Sequence, residues 1–438
     1  MSLPLALYVI LLAAAVLAPL RWAIASYLVL STVDFYTGYS GIGILNAIKG
    51  LVYPVFLLWR LRAYSGHGKT IVAPVAWLLL VSYVGIASFW SVFPLSAAKL
   101  VGEMIGSFLI CLAFLRAAKG GYLTPSVVLP VTFGALAVAM LRSLFAPGYG
   151  DSPDRFTGFT SAQTFAALLA ALFALALCSG VLKPWVRVTA CVTIAAAMVL
   201  NGSRVWLLGL LLMLAVGLAI SAAPAWTKIC TVAFAVLIGV ALVAGSDSVL
   251  TFLAHQSRSS RVAAIITALY EGDRKSSGLG TFFFRRQLNA RTLTAIESSS
   301  APQLLFGHGT SNGRFLLGEL NRGIGDPNRA VHNEWLRILY EWGILGLLIW
   351  LAFIGSVTVF AWRGVRGNPR GYAKPLFVYL PAFGLALLGE NILAGAGHAE
   401  NIGFILLLAI AAISHRQAAQ RSFASAERPS LHASLASS

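Results

Sequence analysis

The chain has 438 residues, 58% of them hydrophobic and only 11% charged. A soluble domain carries about 25% charged residues, so a soluble fold is excluded and a polytopic integral membrane protein is implied. The formal net charge of +17 would suggest nucleic acid in a soluble protein. Here much of it orients the chain instead, because Lys and Arg collect in cytoplasmic loops, and no nucleic-acid partner is expected.

Apolar stretches near the ~20 residues needed to cross a bilayer fall at 3–19, 22–34, 41–59, 71–90, 95–115, 123–145, 160–179, 185–201, 205–221, 226–246, 333–361, 375–396 and 400–413. Alternate loops hold the basic residues: Arg21; Arg60, Arg62 and Lys69; Arg116 and Lys119; Lys183 and Arg187; Lys228; Arg363, Arg366, Arg370 and Lys374; then Arg416, Arg421 and Arg428. Placed in the cytoplasm, they give an all-α protein with twelve crossings from Arg21 onward and the C-terminus inside. The first segment is an extra span, making thirteen, or a partial insertion; its start lacks the basic residues of a signal peptide. The expected organisation is an N-terminal transmembrane bundle over 1–246, an outer loop region over 247–331, C-terminal transmembrane helices over 332–415 and a disordered Ser/Ala-rich tail over 416–438. Cys111, Cys178, Cys191 and Cys230 all lie in apolar runs without a CxxC spacing. They read as small core residues rather than metal ligands or a disulfide framework.

The outer loop breaks the charge bias. It holds Arg258, Arg261, Arg274, Lys275, Arg285, Arg286, Arg291, Arg314, Arg322 and Arg329 against fewer acids. Long loops translocate regardless of charge. An external basic surface suits an anionic ligand; the plain alternative is a solvated loop facing anionic headgroups. Within it, "SRVAAIITALY" (260–270) is amphipathic and suits a membrane surface. "FGHGTSNGRF" (306–315) is Gly-rich and reads as a turn.

Several polar groups stand at outer ends of membrane segments. Arg204 in "NGSRVWLLGLLLML" opens a helix that runs inward; Arg155 in "DSPDRFTGFTS" precedes another; His332, Asn333 and Glu334 open the span after the long loop. Arg142 reads as a residue that snorkels to the interface. A neutral His accepts a proton at physiological pH, and guanidinium groups grip phosphate oxygens in bidentate fashion. A His base with Arg clamps fits displacement of a phosphorylated leaving group at the outer interface, where a lipid carrier is the plausible substrate. The outer polar residues hold too few acids for a magnesium cage, and no cofactor is expected. Glu341 is expected to pair with another polar group, Lys99 with Glu103 four residues on, and "EWGILGLLIW" to anchor and pack one helix. Glu390, Asn391 and His398 are candidates for the acceptor side.

The stretch "LLFGHGTSNG … AVHNEWLRILYEWGILGLLIW" (304–350) resembles the O-antigen ligase and polysaccharide polymerase superfamily, with its Gly-rich turn followed by "HNxxLxxLxExGixGl" entering a membrane helix. "NGSRVWLLGLLLML" (201–214) resembles the family's "SRxxLLxLxL" element. "DRFTGFTSAQTFAALLA" (154–170) resembles its outer "RltGtf" stretch, but "SAQ" replaces the usual "NPN"-like continuation. With the order of elements, the resemblance spans roughly residues 70–415. It implies a metal-independent, inverting glycosyltransferase of lipopolysaccharide assembly in the bacterial inner membrane, its site facing the periplasm. The implied donor is a glycan on undecaprenyl pyrophosphate, and the acceptor is the lipid A core for a ligase or the next lipid-linked repeat for a polymerase. By resemblance His332, with Asn333 and Glu334 beside it, deprotonates or orients the acceptor hydroxyl. Arg204 and one or more of Arg258, Arg261, Arg155 and Arg314 hold the pyrophosphate. A transporter without catalysis is the competing class. It expects ionisable groups near the midplane and two matching halves, and neither is visible.

Overall fold

The computed structural model of the chain describes residues 3–32, 48–62, 72–145, 162–178, 182–201, 203–221, 277–314, 316, 331, 333–367, 371–388 and 403–413, with Arg204 described at its backbone. The described residues are helical throughout, without strands. In chain order the helices are α1 (Leu3–Leu17), α2 (Leu20–Thr32), α3 (Tyr53–Arg60, entered through a π-turn at Ile48–Val52), α4 (Val72–Ala87), α5 (Pro94–Lys119), α6 (Pro125–Phe145), α7 (Ala162–Cys178), α8 (Pro184–Asn201), α9 (Arg204–Ala219), α10 (Ser277–Glu297), α11 (Ala301–Phe306), α12 (Glu334–Gly367), α13 (Lys374–Ala386) and α14 (Gly403–Ile413). Three of them, α5, α8 and α12, are long and apolar enough to cross a membrane by length and composition, and seven shorter helices are apolar. The apolar segment 226–246 and the amphipathic stretch 260–270 lie outside the described residues.

Local chemistry sets the ends. Proline opens α5 and stands within the first two positions of α13, where its missing N–H costs nothing. Arg116 and Lys119 close α5, at the end whose carbonyls favour cations. Apolar periodicity sets the faces. On α8, Val188, Val192 and Val199 form one exposed stripe, the face a bilayer would cover. On α7 and α14, by contrast, every residue from Phe165 to Ala176 and from Phe404 to Ile413 is buried. Helices apolar all round belong inside a bundle. A Cβ on Gly403 would lie 2.6 Å from the Ala171 methyl, so small residues set the close approach of these two helices. Around them Trp77 of α4, Phe353 of α12, Phe383 of α13 and Phe404 form a chain of ring contacts with centroids 5.2 to 6.3 Å apart.

Two features depart from the sequence reading. Residues 277–306, expected as loop, contain α10 and α11, and α10 packs against α12 with Leu288 and Thr292 buried. Its Arg, Asn and Gln residues interrupt any apolar stripe, which hides it from a periodicity search. The segment expected as one continuous helix over 333–361 is broken at Gly343, whose backbone sits at φ 66°, ψ −169°. Only glycine adopts that conformation readily.

The break disconnects carbonyls that a continuous helix would satisfy four residues on, and other groups take the donors' place. The His308 N–H donates to Tyr340 O at 2.9 Å, the Gly309 N–H to Glu341 O at 2.9 Å and the Tyr83 hydroxyl to Trp342 O at 2.8 Å. A Cβ on Gly307 would lie 2.2 Å from Glu341 O, and one on Gly343 would lie 2.5 Å from Gly307 N. The Gly-rich turn and the helix break therefore meet backbone to backbone.

Gly343→Ala should destabilise the protein by roughly 2–6 kcal/mol, from backbone strain and overpacking together. Gly355→Ala, with open space around it, should stay within about 1 kcal/mol of wild type. Thermal unfolding in detergent reads both, and equal melting of the two variants would contradict the account of the break.

Candidate active site

Asn333 is the N-cap of α12. Its side-chain oxygen accepts the Leu336 N–H at 3.2 Å and its carbonyl accepts the Arg337 N–H at 2.9 Å, as a capping Asn does. Glu334 follows as the first helical residue, where an acid favours the helix dipole. Its backbone N–H donates to Leu387 O at 2.9 Å, just past the end of α13. Trp335 Nε1 donates to Gly384 O at 3.4 Å.

Below this start lies a buried ion cluster. Glu334 is fully buried, and Arg337 and Glu341 are each 2% exposed. Arg337 Nε donates to Glu334 Oε2 at 2.8 Å, and Nη2 lies 2.7 Å from the same oxygen. Arg337 Nη1 stands 3.9 Å from Glu341 Oε2, and the guanidinium lies over the Trp342 ring at 5.6 Å. The Glu341 carboxylate takes two backbone donors from the turn: Ser311 N–H on Oε2 at 2.9 Å and Gly313 N–H on Oε1 at 3.0 Å. The expectation that Glu341 pairs with another polar group is met, with one cation and two peptide N–H groups as its partners.

The turn is stapled on its other side to α4 and α5. Thr310 Oγ1 donates to Val84 O at 2.8 Å and its N–H to Ala87 O at 3.2 Å; Ser91 Oγ donates to Thr310 O at 2.6 Å. Asn312 Oδ1 accepts from the Val92 N–H and lies 3.1 Å from Ser91 Oγ, while its amide nitrogen donates to His308 O. Ser311 holds the left-handed conformation at φ 67°. His308 stacks on Tyr340 with centroids 4.3 Å apart. Burial pushes its imidazole below the ordinary histidine value, so it is neutral at pH 7. Ser299 Oγ donates its one proton to Ala295 O at 2.7 Å and therefore accepts from His308 Nε2 at 2.8 Å.

The sequence-derived site residues fall in three groups. Asn333 and Glu334 stand together at the head of α12. Arg204 opens α9, and α9 lies along α13: Trp206 stacks on Tyr379 at 6.0 Å, and a Cβ on Gly209 would lie 3.2 Å from the Ala382 methyl. α9 and the head of α12 thus both lie against α13, α9 at Tyr379 and Ala382 and the head of α12 at Gly384 and Leu387. Arg314 stands at the end of the turn and donates to Ser96 Oγ at 2.6 Å, on the first turn of α5. His332, Arg155, Arg258, Arg261, Glu390, Asn391 and His398 lie outside the described residues. Arg337, five residues after His332, belongs to the same polar cluster in the sequence, and its spacing three after Glu334 and four before Glu341 accounts for the two carboxylates it meets. The expected pair of Lys99 and Glu103 forms at 3.8 Å, with the Lys99 side chain 63% exposed.

Residues 189–351 match the O-antigen ligase family. The match places that stretch, from within α8 to the break in α12 and just beyond, in the O-antigen ligase and polysaccharide polymerase superfamily. It takes in Arg204, the Gly-rich turn and the ion cluster. No curated protein matches the chain.

Arg337→Ala should cost about 3–5 kcal/mol, because it leaves two buried carboxylates without their cation. Lys99→Ala, which breaks an exposed pair, should cost about 1 kcal/mol or less. Melting temperatures of the two variants in one detergent test the contrast; similar losses would mean that the cluster is not held as a buried ion network.

Proposed function

We propose that the protein is a glycosyltransferase of the O-antigen ligase kind. It transfers a glycan from undecaprenyl pyrophosphate to an acceptor hydroxyl, the lipid A core, at the outer face of a bacterial inner membrane. The observation that carries this reading is the shared wall of α13. It supports the approach of two motif segments that lie far apart in the chain, the Arg204 head of α9 and the 331–334 head of α12.

The chemistry follows from the groups. The acceptor oxygen attacks the anomeric carbon of the donor sugar, from the face opposite the pyrophosphate. The bond from that carbon to the pyrophosphate oxygen breaks, and the configuration inverts. His332 takes the hydroxyl proton as general base. Arg204, joined by Arg314 or by Arg155, Arg258 or Arg261, stabilises the negative charge that develops on the departing pyrophosphate. Asn333 and Glu334 fix the chain around the base. No metal takes part, and membrane lipids surround the α-helical spans, twelve or thirteen in number.

A repeat-unit polymerase would use the same donor site, and the acceptor separates the two. In proteoliposomes the wild type should glycosylate lipid A core and leave lipid-linked repeats unextended. Arg204→Ala should lower the rate by about 10²–10³-fold and His332→Ala by about 10²–10⁴-fold, with unchanged expression and insertion. Full activity in both variants overturns the reading, whereas elongation of repeats without any core overturns only the ligase assignment.

A further inference from the structure

We propose that Glu341 is a positioning residue for the transfer step, acting through a clasp that closes both ends of the chain segment bearing His332. The proposal rests on the reading of His332 as the base.

The chain leaves the clasp at Gly313 and returns to it at Val331. A Cβ on Gly313 would lie 3.2 Å from Val331 Cγ2 and 2.9 Å from Glu341 Oε1. Gly313 thus lies against both the returning chain at Val331 and the Glu341 carboxylate. The departing end is held directly, by the two bonds from the Ser311 and Gly313 N–H groups. The returning end is held through Arg337, which reaches Glu341 with Nη1 and Glu334 with Nε and Nη2. Glu334 is in turn fixed through its backbone on Leu387, and Asn333 through its cap on Leu336. The two chain neighbours of His332 are therefore tied down: Val331 is fully buried and Asn333 caps the helix. Glu341 is 2% exposed, and its oxygens face Arg337 and two peptide N–H groups, so its effect on the reaction is indirect.

The chemistry demands a carboxylate. Two N–H donors arrive on two different oxygens. A glutamine of the same shape offers one oxygen and turns an NH₂ group towards the second N–H. The isosteric change therefore opens one side of the clasp while leaving the side-chain volume intact. A shift of about 1 Å in a group that must meet a reacting atom costs on the order of 10²-fold in rate. Donor binding, which the arginines supply, should be spared. Simple loss of folded protein would instead lower the active fraction in step with recovery and melting temperature.

The test compares full-length wild type, Glu341→Gln, Glu334→Gln and His332→Ala in proteoliposomes. Lipid-linked donor is varied at saturating core acceptor, and rates are normalised to monodisperse protein. Glu341→Gln should lower kcat by about 100-fold with the KM for donor within about threefold of wild type. Glu334→Gln keeps a hydrogen-bond acceptor for Arg337 and should lower kcat about tenfold in the same pattern; it decides the matter if Glu341→Gln is not recovered folded. Wild-type kcat in Glu341→Gln, or a raised KM with unchanged kcat, overturns the positioning role. Wild-type rates in His332→Ala overturn the base assignment itself, and a failure of that kind is distinguishable from failure of the clasp.

Discussion

A backbone carbonyl without a donor costs several kcal/mol in a medium that lacks water, and α12 has three disconnected ones at a single place. That constraint organises the part of this protein around α12 and the Gly-rich turn. Gly343 breaks the helix; the carbonyls of Tyr340, Glu341 and Trp342 then require donors, and the Gly-rich turn with Tyr83 supplies them. The glycines of the turn follow from the same requirement. A side chain at 307 or 343 would occupy the space where the two backbones bond. The break is a docking site for peptide groups, and its partner is a stretch of chain about thirty residues upstream.

The buried charges have a comparable logic. Two carboxylates and one guanidinium at 2% exposure or less would be unfavourable unless their remaining polar atoms were satisfied. The two peptide N–H groups on Glu341 and the Arg337 Nε bond to Glu334 do part of that, while Arg337 Nη2 makes a charge contact with Glu334 at 2.7 Å without a hydrogen bond. A charged cluster of this kind costs more to assemble than an apolar one and tolerates fewer arrangements. It suits a place where one backbone geometry must be kept. On the opposite wall, Gly209 against Ala382 brings α9 close to α13 with little side chain between them. One packing against α13 is thus fixed by ions and backbone bonds and the other by the absence of bulk.

Much of the bundle was legible in the sequence because apolar runs of spanning length are a strong signal. The ends of α5 and α8 fall within about four residues of the expected ones, and α13 starts one residue early but ends at Ala386, ten residues short of the expected 396. The carboxylate of Glu341 was also legible as a group that needs a partner, since an isolated charge in an apolar helix cannot be left bare. Its actual partners were not, because two are peptide N–H groups 28 and 30 positions away, and backbone donors leave no trace in residue identity. The break at Gly343 was hidden for the same reason: a glycine in an apolar run reads as a packing residue until the turn that docks on it is known. Asn333 illustrates the reverse error of emphasis. Read for chemistry, it has a plain capping role that its place just before a periodic helix already implied. Arg258, Arg261 and His332 rest on the sequence alone, as they lie outside the described residues.

The staples of the Gly-rich turn also fix an order of events in biogenesis. Thr310 bonds to Val84 across 226 positions of chain, and Tyr83 bonds to Trp342 across 259. At roughly 5–20 residues per second of synthesis, the C-terminal end of α4 leaves the ribosome some ten to fifty seconds before either partner exists. During that interval the Tyr83 hydroxyl is without its later carbonyl partner, while Val84 O already accepts from the Ser88 hydroxyl four residues on. The stretch that matches the ligase family, residues 189–351, accordingly cannot complete its own turn. The turn bonds to α12 within the stretch and to α4 outside it, so grafting that stretch alone into another membrane protein would transplant the motifs without one of the two walls they are bonded to.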